Sequence, residues 1–556
     1  LDGFSSNVQD IISKFKLRNQ LDTLEEANIT FPLIEKFCSS QINLSPDPVK
    51  DRQGNVLIDG LSNLGMGYVF EELIRRFNEE NNEEAGEHFT PREIINLMTN
   101  IIFEPLEGKI KDGTYLIYDP ACGSGGMLTE AEHFANKLNE NATFHLYGQE
   151  VNPETYAICK ADMLIKGEDP DKIAFGSTLS KDGFPQLKFD FMLSNPPYGK
   201  SWKVDKESIV DKKDIIDDRF KVGIPRSSDG QLLFLMNMVA KMKANSELGS
   251  RVASVHNGSS LFTGDAGSGE SEIRKHLIEN DLVEAIIQLP NGMFYNTGIS
   301  TYIWILSNRK PAHRKGKVQL IDASEIYQKM RKNLGQKNSE LTDDHIREIT
   351  NVYLKFEESE ISKIFENADF GYHKITVERP LRLSWQLDPK RLEEVEDAEE
   401  MIPVLESLQQ KHGSEIQKDF NILKKALDKH LKQEGIKWKA KLKKAFIDAI
   451  SWADESADPV IKKKEKDGTI HYEPDSSLRD TESIPLKEDI QEYFEREVIP
   501  HVSDAWIDHE KTTVGYEIAF TKVFYKYEAL RPLEEIEKDI LALEEETEDL
   551  IKEIIE

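Results

Sequence analysis

Cysteine is scarce: three residues (Cys38, Cys122 and Cys159) in 556 build no disulfide framework, which fits a reducing cytoplasm. No apolar run is long enough to span a membrane. No zinc constellation is present, since His501 and His509 stand apart from any cysteine. There is no internal repeat. Positive charge is short as well: 71 Lys and Arg face 101 Asp and Glu, for a net charge of −30. A chain that gripped nucleic acid unaided would show the opposite balance. Either the substrate is not nucleic acid, or another subunit supplies the grip. The glycines offer no G-x-x-x-x-G-K-[ST] string, which excludes a triphosphate cradle, and they depart from G-x-G-x-x-G, which argues against a dinucleotide.

What is present centres on two loops. Residues 115–118 are apolar and aromatic, the pattern of a buried strand. They run into Asp119-Pro120-Ala121-Cys122-Gly123-Ser124-Gly125-Gly126, and a helical periodicity follows over 127–138. Strand, glycine loop and helix bring backbone N–H groups close to a ligand. A second strand over 143–147 ends at Gly148-Gln149-Glu150, where an acidic side chain can hold a ribose diol. Together they suit a nucleoside cofactor without a pyrophosphate; a glycine turn closing an ordinary βα unit is the plainer reading. Cys122 reads as a small packing residue.

The second loop is Asn195-Pro196-Pro197-Tyr198, delivered by the apolar run 189–193. Two prolines fix φ and stiffen the turn. They pin the Asn195 side-chain oxygen and the Pro196 carbonyl as two acceptors, which an amino group with two hydrogens satisfies. Tyr198 offers a flat face for a heterocycle. Positioning of this kind activates a weak exocyclic amine toward an electrophilic methyl without a strong base. A rigid proline turn capping a strand is the alternative.

Upstream lies Glu87-His88-Phe89-Thr90-Pro91-Arg92, a loop entering a helix. In this order the three loops resemble those of the modification subunits of type I restriction–modification systems, a family of adenine-N6 DNA methyltransferases. The resemblance covers most of the chain. It implies S-adenosylmethionine as cofactor. Phe89, Thr90 and Pro91, within the loop from Glu87 and His88 to Arg92, would contact it. Asp119, Ala121, Cys122, Gly123, Ser124, Gly125 and Gly126 would wrap its methionine part, and Glu150 would bind the ribose. Asn195, Pro196, Pro197 and Tyr198 would hold the target adenine. At Gly176-Ser177-Thr178-Leu179 the chain has serine where many relatives place an acidic residue; Thr178, a serine or a backbone group is left to make that contact. The resemblance further implies double-stranded DNA as substrate, a specificity subunit shared by two modification subunits, and a restriction (motor) subunit. A protein-glutamine or rRNA methyltransferase, or a non-catalytic assembly scaffold, are the rival readings.

Alternating strand-like and helical runs predict an α/β fold, a doubly wound, mainly parallel sheet. Strands are expected over 251–255, 283–289, 301–306 and 317–321. The expected division is an N-terminal helical domain (1–85), a catalytic domain (86–335) and a mainly helical C-terminal region (336–556) for partner assembly. Helices are expected over 8–15 and 66–77, with 81–84 a linker. The polar segment 198–230 is placed to cover the active site, or is a solvated loop. Met293, Phe294 and Tyr295 are offered to the second face of a base or to the core. Basic islands at 309–317 and 329–332 are offered to phosphates or to solvent. Residues 468–483 read as a loop. Leu533, Ile536, Ile540, Leu543, Leu550 and Ile554 approximate a heptad stripe for a partner helix or for a bundle within the chain.

Overall fold

The computed structural model describes residues 3–62, 90–295 and 297–525, with scattered positions in 65–73 and 532–544. Helices α1 (Ser6–Lys14), α2 (Leu17–Glu26) and α3 (Thr30–Phe37) open the chain, followed by a small hairpin over 49–58. Helix α1 leans on residues far along the chain: Asp10 accepts from Tyr156 Oη at 3.4 Å, and Lys14 Nζ lies 4.0 Å from the centre of the Phe175 ring. The helix expected over 66–77 and the linker after it lie mostly outside the described residues.

Nine strands form the central sheet: β1 (Thr114–Asp119), β2 (Thr143–Glu150), β3 (Ile173–Phe175), β4 (Phe191–Ser194), β5 (Arg251–Asn257), β6 (Val283–Gln288), β7 (Thr301–Ser307), β8 (Lys317–Asp322) and β9 (Ser362–Glu366). Their order is β9-β8-β6-β7-β5-β4-β1-β2-β3. Only β7 and β9 run against their neighbours. The inner strands are apolar almost without interruption because both faces are covered. Helices α4 (Arg92–Phe103), α5 (Gly126–Leu138), α6 (Pro153–Lys166) and, further along, α9 (Asp343–Lys355) cover one face. Helices α7 (Gln231–Ala240) and α8 (Gly269–Glu279) cover the other. Alternate residues of one strand serve the two cores: Ile117 faces the first and Tyr118 the second. The doubly wound expectation holds.

Winding reverses at β1. The chain runs outward through β2 and β3, then returns to lay β4 on the other side of β1. The carboxyl ends of β1 and β4 therefore diverge into a crevice, the place where sheets of this kind receive ligands.

The carboxyl half departs from expectation. The sheet continues past residue 335 to β9, so the expected boundary cuts through it. Strand β9 reads Ser-Lys-Ile-Phe-Glu and sits on the sheet edge, where a charged strand needs no apolar run. Among the described residues that follow, strands stand beside the expected helices. Strands β10 (Gly371–Glu378), β11 (Asp480–Pro485) and β12 (Trp506–Tyr516) make an antiparallel sheet in the order β11-β10-β12. Residues expected as loop over 468–483 hold the strand Ile470–Tyr472 and the start of β11; both are short, polar and mostly exposed, so no hydrophobic alternation marks them. Helices α10 (Ala398–His412), α11 (Phe420–Gln433) and α12 (Ala440–Ile450) form a lobe with its own core. Within it Trp438 meets Phe446 at 5.2 Å between ring centres, and Arg391 covers Trp452. Beyond it Leu533, Ile536, Ile540 and Leu543 are exposed; Leu550 and Ile554 lie outside the described residues. No described helix is long and apolar enough to cross a membrane.

Strand β12 is clamped to the central sheet through α8. The buried Arg274 guanidinium donates to the carbonyls of Tyr516 (2.6 Å), Ser260 (3.2 Å), Thr263 (2.8 Å) and Gly264 (3.2 Å). Replacement of Arg274 by Met removes the donor from all four, and a lost buried donor costs about 1–3 kcal/mol per orphaned group. Arg274→Met is expected to lower the unfolding free energy by about 3 kcal/mol or more in urea titration. A change within about 0.5 kcal/mol would mean that the carbonyls find other donors.

Candidate active site

The crevice at the β1/β4 reversal opens into a cavity of about 410 Å³, within the range of small-molecule sites. Its wall comes from the ends of four elements. After β1 the chain turns sharply through Gly123 (φ +52°) and Gly125 (φ +85°) before entering α5. A Cβ on Gly125 would stand 2.8 Å from Cys159 Sγ, so the loop lies flat against α6 only because that position is bare. Cys122 is buried with its sulfur 3.9 Å from that of Cys159. Their contact and burial push the Cys122 thiol up, and it packs as a neutral group.

Each loop is tied to its neighbours. Glu150, at the tip of β2, accepts from Gly123 N–H at 3.0 Å with one oxygen and from Asn152 N–H at 2.7 Å with the other. Free lone pairs remain on both for a diol. Asp119 accepts from Ala121 N–H (2.9 Å) and from Ser194 Oγ (2.7 Å), a direct link between the two loops of the crevice. Burial, which outweighs those hydrogen bonds, pushes its carboxyl up to about 7. Thr178 is on the wall, but its hydroxyl is turned onto the Pro120 carbonyl at 2.5 Å. Arg219 donates to the carbonyls of Thr178 and Leu179, so the segment that follows the diproline loop braces the cofactor side from behind. The Ser177 side chain accepts from Leu179 N–H at 3.3 Å.

On the opposite wall, Asn195 donates through Nδ2 to Thr90 Oγ1 at 3.1 Å. Its Oδ1 is buried and has no hydrogen-bond partner among the described residues. Orphaned buried acceptors are rare in folded proteins. Pro196, Pro197 and Tyr198 complete that wall. Tyr198 rests half-buried against the first core, and burial pushes its phenol up to about 12.

The structure thus gathers Thr90, Asp119, Ala121, Cys122, Gly123, Ser124, Gly126, Glu150, Thr178, Asn195, Pro196, Pro197 and Tyr198 around one cavity. Gly125 shapes the turn from behind. Pro91 and Arg92 lead into α4 and are not on the wall, while Glu87, His88 and Phe89 lie outside the described residues. Lining residues beyond the sequence reading are Ile95, Met127, Gln149, Val151, Lys200 and Phe234. Val151 carried a usable signal, an apolar residue directly after the strand-tip acid, and it is 60% exposed. Phe234 arrives from α7 and carried none. Met293 and Phe294 belong to the core, which settles them against a base-stacking role. The segment 198–230 is no solvated loop: Trp202 is buried and donates to the Arg226 carbonyl at 3.0 Å, and Ile209 and Phe220 sit in the second core. Among the described residues no cluster of His, Cys, Asp or Glu is arranged for a metal.

The sequence profile of the N-6 DNA methylase family matches residues 62–394. The chain belongs to this family. Among curated members, the MjaIX type I restriction enzyme methylase subunit of Methanocaldococcus jannaschii is 28% identical over 408 residues, covering 72% of this chain and 65% of that protein. The HindI methylase subunit of Haemophilus influenzae is 34% identical over 268 residues, or 47% of this chain and 54% of its own. The chain thus spans less than two thirds of either relative. A solved methyltransferase subunit of a type I restriction-modification system from Streptococcus thermophilus is 27% identical, covering 56% of this chain and 61% of that one at a TM-score of 0.46.

The cavity residues of this member of the N-6 DNA methylase family fit S-adenosylmethionine. Glu150 suits its ribose, exposed Val151 suits a flat adenine, and the Asp119 carboxyl suits its ammonium group. A cation beside Asp119 favours the charged carboxylate, so binding below pH 7 must expel a proton. Affinity for S-adenosylmethionine is therefore expected to rise between about pH 6 and about pH 8 and then level. Calorimetry in buffers of different ionisation enthalpy should read proton release that fades over the same interval. Asp119→Asn should flatten both profiles; a parent affinity independent of pH would remove the ammonium from this position.

Proposed function

We propose that the chain is an S-adenosylmethionine-dependent adenine-N6 DNA methyltransferase, the modification subunit of a type I restriction–modification complex. The observation that carries the reading is the buried Asn195 Oδ1 at the cavity wall, without a hydrogen-bond partner among the described residues. Family membership and two relatives named as type I methylase subunits support it.

Bound S-adenosylmethionine would supply an electrophilic methyl group. The protein's own part is to hold the acceptor. Asn195 Oδ1 and the Pro196 carbonyl take the two hydrogens of the adenine amine, draw its nitrogen toward tetrahedral geometry and aim its lone pair into the cavity. Thr90 fixes the orientation of the Asn195 amide, so that its oxygen and not its nitrogen faces the ligand. Tyr198 stacks on the base. Once the methyl has arrived the nitrogen is acidic, and water removes its proton without a dedicated base. An adenine within a duplex reaches Asn195 only by leaving the stack.

With a net charge of −30, the chain relies on a specificity subunit to read and hold double-stranded DNA. Two copies of this chain per specificity subunit, joined by a restriction (motor) subunit in the cytoplasm, complete the arrangement. The exposed apolar residues Leu533, Ile536, Ile540 and Leu543 are its docking stripe.

The test is transfer of labelled methyl groups to duplex DNA by the chain co-expressed with its specificity subunit. Asn195→Ala is expected to lower turnover by about 100-fold or more, the scale of one lost transition-state contact, with S-adenosylmethionine affinity near the parent value. Equal loss of both would put Asn195 in the cofactor site instead. Tyr198→Ala is expected to weaken capture of the adenine by about 1–3 kcal/mol, read as a rise in KM for DNA. No change in KM or turnover would end its stacking role.

A further inference from the structure

The two basic islands in the sequence have opposite fates. In 309–317, Lys310 is buried and donates to Asp281 (2.7 Å) and to the Lys317 carbonyl (2.8 Å). Arg314 is buried between the rings of Tyr353 and Phe356, 4.4 and 4.3 Å from their centres. Arg309 is turned onto the carbonyls of Ala244 and Ser246. Lys310 and Arg314 are thus internal scaffolding, and Arg309 is engaged by carbonyls, which leaves Lys315 and Lys317 as the exposed lysines of that island. The second island, 329–332, stands on a two-stranded ribbon, Gln328–Leu334 paired with Lys337–Glu340. Lys329, Arg331 and Lys332 are all exposed on it.

The ribbon leaves the same edge of the sheet as the cavity loops. It follows β8, and β8 runs in the same sense as β1 once the pairings through β6, β7, β5 and β4 are traced. Its base is at the sheet edge that carries the two loops. It is also firmly seated. Gln336 N–H donates to the Tyr295 carbonyl and Asn338 N–H to the Gly292 carbonyl, each at 2.9 Å. Gly292 has φ +67°, and a Cβ there would come within 2.2 Å of Asn338 Oδ1. Lys337, buried, pairs with Glu93 on the first turn of α4. Glu93 is three residues past Thr90, the residue that orients Asn195. The foot of the ribbon and the Asn195 amide thus both bond to the short stretch 90–93 at the start of α4.

Few of the ribbon's charges are neutralised within it. Residues 328–340 contain Lys329, Arg331, Lys332 and Lys337 against Glu340 alone, and Glu340 accepts from Gln328 at 2.7 Å. A two-stranded ribbon has the width of the DNA major groove, the groove on which the adenine N6 amine opens. We infer that this ribbon holds duplex DNA at the mouth of the cavity, with Lys329, Arg331 and Lys332 against backbone phosphates. The inference rests on the proposed function and adds the surface by which an acidic subunit engages its substrate. Sequence reading remains with the partner, because these cations neutralise phosphates without distinguishing bases.

The experiment compares the parent complex with one carrying Lys329→Ala, Arg331→Ala and Lys332→Ala together, by fluorescence anisotropy on a labelled duplex across a salt series. Each phosphate contact contributes about 0.9 to the slope of log K against log salt. The variant is expected to lose about 2–3 from that slope and about 10-fold or more in affinity at low salt. S-adenosylmethionine affinity and co-purification of the specificity subunit should be unchanged. A slope equal to the parent's overturns the inference, and so does loss of the partner subunit with the slope intact, which would make the ribbon a protein interface. A parent complex that binds no duplex at all sinks the proposed function and the ribbon together, which separates the two failures.

Discussion

One hydrogen bond holds the two working loops in register: Ser194 Oγ to Asp119 Oδ1, 2.7 Å, inside the protein. It joins the last residue of β4 to the last residue of β1, the pair of strands between which the winding reverses. Without that reversal the glycine loop and the diproline loop would be separated by an intervening strand. With it, they leave adjacent strands and face one cavity. The same carboxyl also accepts from Ala121 N–H, which sets the start of the glycine loop. Glu150 sets its middle through Gly123 N–H, and Thr178 reaches Pro120. The cavity wall is therefore tied together by short polar contacts, and Asn195 Oδ1 is a buried acceptor on that wall without a hydrogen-bond partner among the described residues.

Charge is used in two distinct ways. Several cations are drawn inside, where an ion without a partner is expensive. Arg251 meets Glu284 and Tyr353 Oη at 2.9 and 2.6 Å, and Lys241 meets Asp182 at 2.7 Å. Arg274, with no carboxylate among its hydrogen-bond partners, is satisfied by carbonyls. These groups hold elements together. The exterior is acidic on balance, with exposed cations gathered on the ribbon and on the carboxyl-terminal lobe, at Lys425, Lys429, Lys432, Lys462, Lys463 and Lys464. Such a surface discourages indiscriminate binding to nucleic acid while leaving attraction near the cavity, since exposed charges act over only about a Debye length of 8–10 Å at moderate salt.

The sequence made the central half of the molecule legible. Strands β1, β2, β5, β6, β7 and β8 lie within a residue or a few of their expected limits, because strands buried on both faces must be apolar throughout. The glycine and diproline loops were legible for another reason, since backbone geometry confines those positions to few residue types. Legibility ends where neither constraint acts. Strand β9 and the residues over 470–485 pair at edges with polar side chains, so nothing in their composition separates them from loops. The cations of 309–317 look like surface charge until Tyr353, Phe356 and Asp281, distant in sequence, are folded around them. Phe294 and Phe234 are equivalent as letters, yet one fills the core and the other lines the cavity, a difference set by helix and loop placement alone.

The carboxyl-terminal sheet bears on the catalytic arrangement more than its distance in sequence suggests. Strand β12 reaches α8 through Arg274 and through Tyr516 N–H on Ser271 Oγ at 2.9 Å. Helix α8 begins at Gly269, where a Cβ would lie 1.8 Å from the Ile224 carbonyl, so the helix start presses directly on the segment that follows the diproline loop. Glu270 in turn accepts from Arg226 N–H at 2.7 Å, and the Arg226 carbonyl receives the Trp202 indole. From Trp202 it is four residues back to Tyr198. A chain of close contacts therefore runs from the antiparallel sheet of the carboxyl half to the diproline loop on the cavity wall. Packed interiors transmit displacement because they have little free volume. A displacement of strand β12 is thus mechanically connected to Tyr198 through α8 and Trp202, without touching the cavity itself.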